Sequence, residues 1–237
     1  MKKLIKRLMA ATPYRIMRDN GPNRFNGMEA CLRSMKNRDF QPTVVIDGGA
    51  HVGTFSLLAK SIFPKADYHL IEPQPVCHTP LRALCMKEGW TLHACAISDH
   101  VGSSRLRVTQ DFDTGAYLTA DADAHEIKTE TLDHIFSDTL KAERVLLKLD
   151  LQGHELRALQ GAAGILPHID VILTEASFYI QLAEPTIAEL IGFLNDNQFQ
   201  LYDIAALGAR ERDNRPHQAD LVFARTGSLL VADTGWS

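Results

Sequence analysis

The residues with the clearest capacity for chemistry are two acids, each placed where a strand-like run stops. Asp47 closes Val44-Val45-Ile46 and leads into Gly48-Gly49-Ala50-His51-Val52-Gly53-Thr54-Phe55, while Glu72 closes Tyr68-His69-Leu70-Ile71. A β-branched run, an acid, small residues and an apolar periodic segment make a strand–turn–helix unit. Its glycines let a ligand approach the backbone closely. Acids at two consecutive strand ends suit a ligand that carries ribose hydroxyls and a positive charge. A dinucleotide fits worse, because Asp47 puts negative charge where a pyrophosphate must lie. Position 50 is also Ala, where a G-x-G-x-x-G turn requires its second glycine. S-adenosylmethionine (SAM) matches better: its carboxylate can take N–H groups from the turn, and acids can serve its ammonium and ribose. An ordinary tight turn without a ligand is the alternative, and Glu72 weighs against it.

A second block, Val145-Leu146-Leu147-Lys148-Leu149-Asp150-Leu151-Gln152-Gly153-His154-Glu155, holds a lysine inside an apolar strand. A strand covered on both faces obliges Lys148 to find a partner or lose its proton. Asp133 or Glu155 is the expected partner, with snorkelling to an edge as the alternative. Asp150 ends this strand beside the sheet's switch point, where open α/β sheets bind ligands, and Glu175 ends the next strand in the same way. Asp150, Glu175 and His154 are therefore the candidates for a general base. With ten histidines in the chain, any single one is more commonly structural or surface than catalytic. A divalent metal held by Asp150 and other carboxylates is the alternative. Asp111, Asp113, Asp121 and Asp123 lack the glycine and distal Glu of a calcium loop and read as a solvated cluster, so no metal site is expected.

The elements that must position these groups alternate in the manner of an α/β doubly wound sheet. Strands are expected at 43–47, 67–72, 90–97, 143–150, 169–175, 199–205 and 218–225, with helices near 53–62, 79–88, 154–162 and 185–197. Thr79-Pro80 reads as an N-cap and first helical residue, with Gly89 as the stop. The last two strands should form an antiparallel pair. Residues 103–130 break the alternation as a polar insertion, a substrate-facing loop or short hairpin.

At 237 residues and 45% hydrophobic content, one large domain with appendages is expected. It spans 41–226, with a basic helical N-terminal extension over 1–40 and a tail over 227–237. The extension holds ten Lys/Arg against three Asp/Glu, whereas the whole chain carries a net charge of −4. A basic amphipathic lead suits weak contact with an acidic membrane surface or partner, although a helix packed on the domain with its basic face in water is the favoured expectation. The acidic remainder argues against nucleic acid as substrate. Cys31, Cys77, Cys85 and Cys95 show neither C-x-x-C nor zinc spacing, which implies reduced thiols. No apolar run reaches membrane-span length and no signal peptide is expected, so a cytoplasmic location follows.

Taken in order, D-G-G-A-H-V-G-T-F at 47–55, I-E-P at 71–73, A-I-S-D at 96–99, T-L-D at 131–133, K-L-D-L-Q-G-H-E at 148–155 and L-Q-G-A at 159–162 resemble the FkbM-type SAM-dependent methyltransferases. Members typically carry Asn at the position of His51 and often Glu at that of Gln152. The resemblance implies a class I methyltransferase, Rossmann-like fold: seven strands, mostly parallel, with an antiparallel terminal pair. It also implies transfer to a hydroxyl oxygen of a sugar or polyketide-like natural product. Asp47, Gly48, Gly49, Ala50, His51 and Gly53 would form the turn under the methionine moiety, and Glu72 would take the ribose beside Pro73. Ala96, Ile97 and Ser98 would border the adenine, and Asp150 would face the methionine end and the acceptor. An amine or carboxyl acceptor, or a non-catalytic SAM-binding scaffold, are the competing functions.

Overall fold

The computed structural model describes residues 27–138, 140, 144–179, 185–210 and 212–232. Most of the basic N-terminal segment and the last residues of the tail thus lie outside the described residues. The first described element is α1 (Gly27–Asn37), which buries Cys31, Leu32 and Met35. There follow β1 (Val44–Gly48), α2 (Thr54–Ile62), β2 (Asp67–Ile71), α3 (Pro75–Glu88), β3 (Thr91–His93), β4 (Ala96–Ile97), β5 (Gly102–Arg107), β6 (Tyr117–Thr119), β7 (His125–Glu130), α4 (Leu132–Phe136), β8 (Val145–Leu149), α5 (Glu155–Gln160), β9 (Ile169–Ser177), α6 (Ile187–Asp196), β10 (Phe199–Ala209), β11 (Pro216–Arg225) and α7 (Leu229–Ala232).

Seven strands form the main sheet in the order β10-β11-β9-β8-β1-β2-β3. Its strands are parallel from β9 to β3, and β11 runs antiparallel to both β9 and β10. The order reverses at β1/β8, the switch point. Strand residues alternate between two cores. Ile46, Leu147, Ile172 and Phe223 pack with Phe136, Leu159, Leu190 and Leu194 on one face. Val45, Leu146, Val171 and Val222 pack with Leu32, Ala59, Ile62 and Leu81 on the other. Both faces are covered, which explains the nearly continuous apolar runs in β1 and β8.

Three expectations change. The run at 90–97 is not one strand: the Cys95 N–H bonds back to His93 O at 3.1 Å, which turns the chain out of the main sheet. β4 then opens a second, four-stranded sheet in the order β4-β7-β5-β6. Residues 103–130 are thus the body of that sheet, not a loop or lone hairpin; Ala96, Leu106 and Ile127 are its buried core. Finally, α3 starts at Pro75 after an extended Gln74, and Pro80 lies within it. Pro75 supplies the preset φ of the first helical residue, whereas Pro80 stands beyond the free N–H groups of the first turn and gives up one helical hydrogen bond, to the carbonyl of Val76. Gly89 ends α3 as expected, at φ 74°, with its N–H on Cys85 O.

Candidate active site

A cavity of about 430 Å³ opens above the C-terminal ends of β1, β2 and β8, and residues of the second sheet form its roof. That volume lies within the range of small-molecule sites. Gly49, Ala50, His51, Glu72, Pro73, Ala96, Ile97, Asp150 and His154 line it, as do Phe55, Gln74, Asp113, Leu118, Lys148 and Gln152. Of the expected site residues, Asp47, Gly48, Gly53, Ser98 and Glu175 are not on its wall.

The turn after β1 works differently from its sequence reading. The amides of Gly49 and Ala50 both donate to Ile71 O, at 3.0 and 3.1 Å, and that of Gly53 donates to Ala50 O. They brace the turn on β2 and are already used, so they do not present free donors to a ligand carboxylate. Glycine is required at 49, where φ is +75° and a Cβ would stand 2.0 Å from Asp150 O. At Gly53, φ is +84° and a Cβ would press on Leu84.

Glu72 is nearly fully buried. Its Oε2 accepts the His51 N–H at 2.7 Å and its Oε1 accepts the Gln74 N–H at 2.8 Å. Burial pushes its pKa up, and the two amides oppose that rise. A second lone pair on each oxygen is left for hydroxyl donors from the cavity. Gln74 Oε1 is also buried without a hydrogen-bond partner among the described residues.

Lys148 corrects a further expectation. Its Nζ lies 3.2 Å from Asp47 Oδ1 and 3.5 Å from Asp150 Oδ2, and it donates to Gly49 O at 3.0 Å. Burial drags its pKa down, but Asp47 and Asp150 outweigh that and hold it above the ordinary lysine value. The proposed partners are engaged elsewhere. Asp133 accepts the N–H groups of Gly164 and Ile165, and Glu155 accepts those of Leu151 and Gly153. Burial pushes Glu155 up to about 7. Lys148 and Asp47 are register partners on the neighbouring strands β8 and β1, a pairing that the spacing within either strand does not reveal. Asp47 is fully buried, takes a hydrogen bond from Ser56 Oγ at 2.7 Å, and so supports the site from beneath.

The three base candidates separate. Asp150 is on the cavity wall with its side chain 45% exposed, steadied by Lys148 and by Gln152 Nε2 at 2.9 Å. Gln152 adopts φ 52° and also reaches Glu175 Oε2 at 3.3 Å. Glu175 lies within β9, which continues to Ser177, and Gln218 also donates to it. It therefore stands behind Asp150. His154 is hydrogen-bonded to Ser98 Oγ at 3.0 Å, and burial lowers its pKa to about 4. Ser98 thus braces His154 instead of bordering the first cavity.

Beside the cavity lies a larger cleft of about 910 Å³, and Leu118, Gln152 and His154 line both. Its wall carries Asp99, His100, Ser104, Tyr117, Thr119 and Arg157 among its polar groups. Arg157 donates to Asp99 at 2.8 Å, and Asp99 is held at about 2, mainly by its hydrogen bond with His100. Among the described residues no group of three or more His, Cys, Asp or Glu is arranged to hold a metal.

The family model for the methyltransferase FkbM domain matches residues 47–201. The chain is 25% identical over 190 residues to methyltransferase sdnD of Sordaria araneosa, covering 57% of this chain and 73% of that protein. It is 25% identical over 191 residues to 31-O-demethyl-FK506 methyltransferase FkbM of Streptomyces tacrolimicus, covering 66% and 72%. A crystal structure of methyltransferase FkbM from Methylobacillus flagellatus KT aligns with a TM-score of 0.51 at 17% identity, over 76% of this chain. The chain spans 43% of that structure's length, and the likeness carries the fold.

Proposed function

The chain belongs to the FkbM methyltransferase family, and from that premise we propose that it transfers a methyl group from SAM to a hydroxyl oxygen of a sugar-like or polyketide-like acceptor. The observation that carries this reading is the pair of adjoining spaces: a cavity with a buried carboxylate, opening past Gln152 and His154 into a larger cleft walled by hydrogen-bonding side chains. Such a wall suits an acceptor rich in hydroxyls. One relative is named for a 31-O-demethyl acceptor, which is consistent with oxygen as the receiving atom.

The cavity residues fit the cofactor. Glu72 offers lone pairs for two ribose hydroxyls, and the absent Cβ at Gly49 keeps the floor of the site against Asp150. Ala96 and Ile97 supply apolar wall for an adenine, with Pro73 beside the ribose. SAM, when bound, supplies an electrophilic methyl group on its sulfonium. The protein's part is to aim the acceptor oxygen in line and to receive its proton. Asp150 is the residue for that proton, because it lies on the cavity wall beside Gln152, which also lines the cleft, and its neighbours fix its orientation. His154, whose pKa burial holds near 4, is a poor proton acceptor at neutral pH and instead lines the passage.

Calorimetry with S-adenosylhomocysteine tests the cofactor, and release of S-adenosylhomocysteine over a panel of glycoside and polyketide-like alcohols tests the reaction. Binding together with an alkali-stable methylated alcohol is the expected result. An alkali-labile ester would move the acceptor to a carboxyl group, an N-methyl product would move it to an amine, and binding without turnover on any acceptor would favour a scaffold.

A further inference from the structure

The roof of the cavity is the β5–β6 connection, and it is a preformed unit. The Asp113 carboxylate accepts the Thr109 N–H at 2.8 Å, the Thr109 hydroxyl at 2.7 Å and the Gly115 N–H at 2.9 Å, which locks residues 109–115 into one turn. Two residues of the main domain hold that turn. His51 Nε2–H donates to Phe112 O at 3.0 Å, with the two rings edge to face. Gln74 Nε2 donates to Asp113 O at 2.8 Å. These are the same two residues whose backbone N–H groups hold Glu72, one on each carboxylate oxygen. Each therefore grips the ligand-facing acid with its backbone and the roof with its side chain. Leu118, which follows the turn on β6, is also part of the wall shared with the larger cleft.

We propose that His51 and Gln74 are positioning residues that couple occupation of Glu72 to the roof turn 109–115, so that cofactor binding sets the wall of the acceptor cleft before the acceptor enters. This rests on Glu72 taking the cofactor ribose. A hydroxyl drawn to Glu72 fixes its carboxylate, the fixed carboxylate holds the His51 and Gln74 amides, and their side chains hold the roof. The coupling is a population shift between a looser and a tighter roof.

Hydrogen exchange over residues 108–118, with and without S-adenosylhomocysteine, tests it on the full chain. In the unsubstituted protein the ligand should slow exchange there by about tenfold or more, a local opening made rarer. His51→Asn keeps a residue that tolerates the left-handed backbone at φ 49° but is too short to reach Phe112 O. Gln74→Leu removes the donor to Asp113 O while keeping the backbone N–H on Glu72. Each variant should still bind S-adenosylhomocysteine by calorimetry, and each should lose most of the added protection. Added protection retained in both variants overturns the coupling, as does a roof whose exchange the bound ligand leaves unchanged in the unsubstituted protein. Absence of any binding to the unsubstituted protein instead overturns the cofactor reading, and this inference with it.

Discussion

A single carboxylate, Glu72, joins what the cavity binds to how the cavity is built. Its two oxygens take one backbone N–H each, from His51 and Gln74, the same residues whose side chains hold the roof turn. Glu72→Gln keeps the volume but turns an NH2 group toward one of those donors and removes the charge. It should weaken S-adenosylhomocysteine binding by about 2–4 kcal/mol in a protein that still melts cooperatively; unchanged affinity by calorimetry would sink the assignment. Asp150 makes the opposite prediction. A base acts in the transition state, so Asp150→Asn should lower turnover by at least about 100-fold. Cofactor affinity should then change by less than about tenfold, or ~1.4 kcal/mol. Collapse of cofactor binding would make Asp150 a binding residue, and near-normal turnover would mean that alignment alone suffices.

At the scale of elements, the charge inside β1 and β8 is a cross-strand pair. Removing Lys148 alone leaves Asp47 buried without its cation, so Lys148→Met should destabilise the fold by about 3–5 kcal/mol in urea titrations. Adding Asp47→Leu to Lys148→Met should restore much of that stability, and a double variant no more stable than the single would refute the pairing as the cause. The outer edge of the sheet carries a pH-dependent element. His69 on β2 and His93 on β3 stack with Nδ1 and Nε2 3.1 Å apart, and both rings pack on Phe136 of α4. Burial lowers both pKa values, with His93 brought to about 4. His93 of the unfolded chain therefore takes up its proton from about pH 6.5 downward, while in the folded chain it resists until about pH 4, and His69 is shifted in the same direction. Stability from this pair is complete above that window and lost as pH falls through it, by on the order of 2 kcal/mol for His93 after allowance for partial exposure. His93→Gln should flatten the difference between unfolding midpoints at pH 7 and pH 4.5; an unchanged slope would place the acid sensitivity elsewhere.

For the molecule as a whole, the site is a seam between two sheets. The main sheet supplies the acids and the lysine at its switch point, and the second sheet supplies the roof and much of the cleft wall. No helix among the described residues is long and apolar enough to cross a membrane. Because Lys148 already serves Asp47 and Asp150 as their cation, turnover should persist in EDTA. Loss of turnover on chelation and its recovery with magnesium would turn Asp150 from base to ligand.

The strand-end acids, the Gly-rich turn and the alternation that implies a doubly wound sheet were legible in the chain because they depend on local spacing and side-chain type. Strand ends at Asp47, Glu72 and Asp150 fall within a residue of expectation, since burial on both faces imposes unbroken apolar runs that charged residues terminate. Tertiary structure decided what depends on register and on contacts across long sequence separations. It paired Lys148 with Asp47 across β1 and β8, turned the Gly49 and Ala50 amides to Ile71, and moved Ser98 away from the first cavity to His154. It also made residues 103–130 a sheet. Strand β5, Gly-Ser-Ser-Arg-Leu-Arg, has a single buried residue, Leu106, and gains its order from β6 and β7, so no local period could announce it.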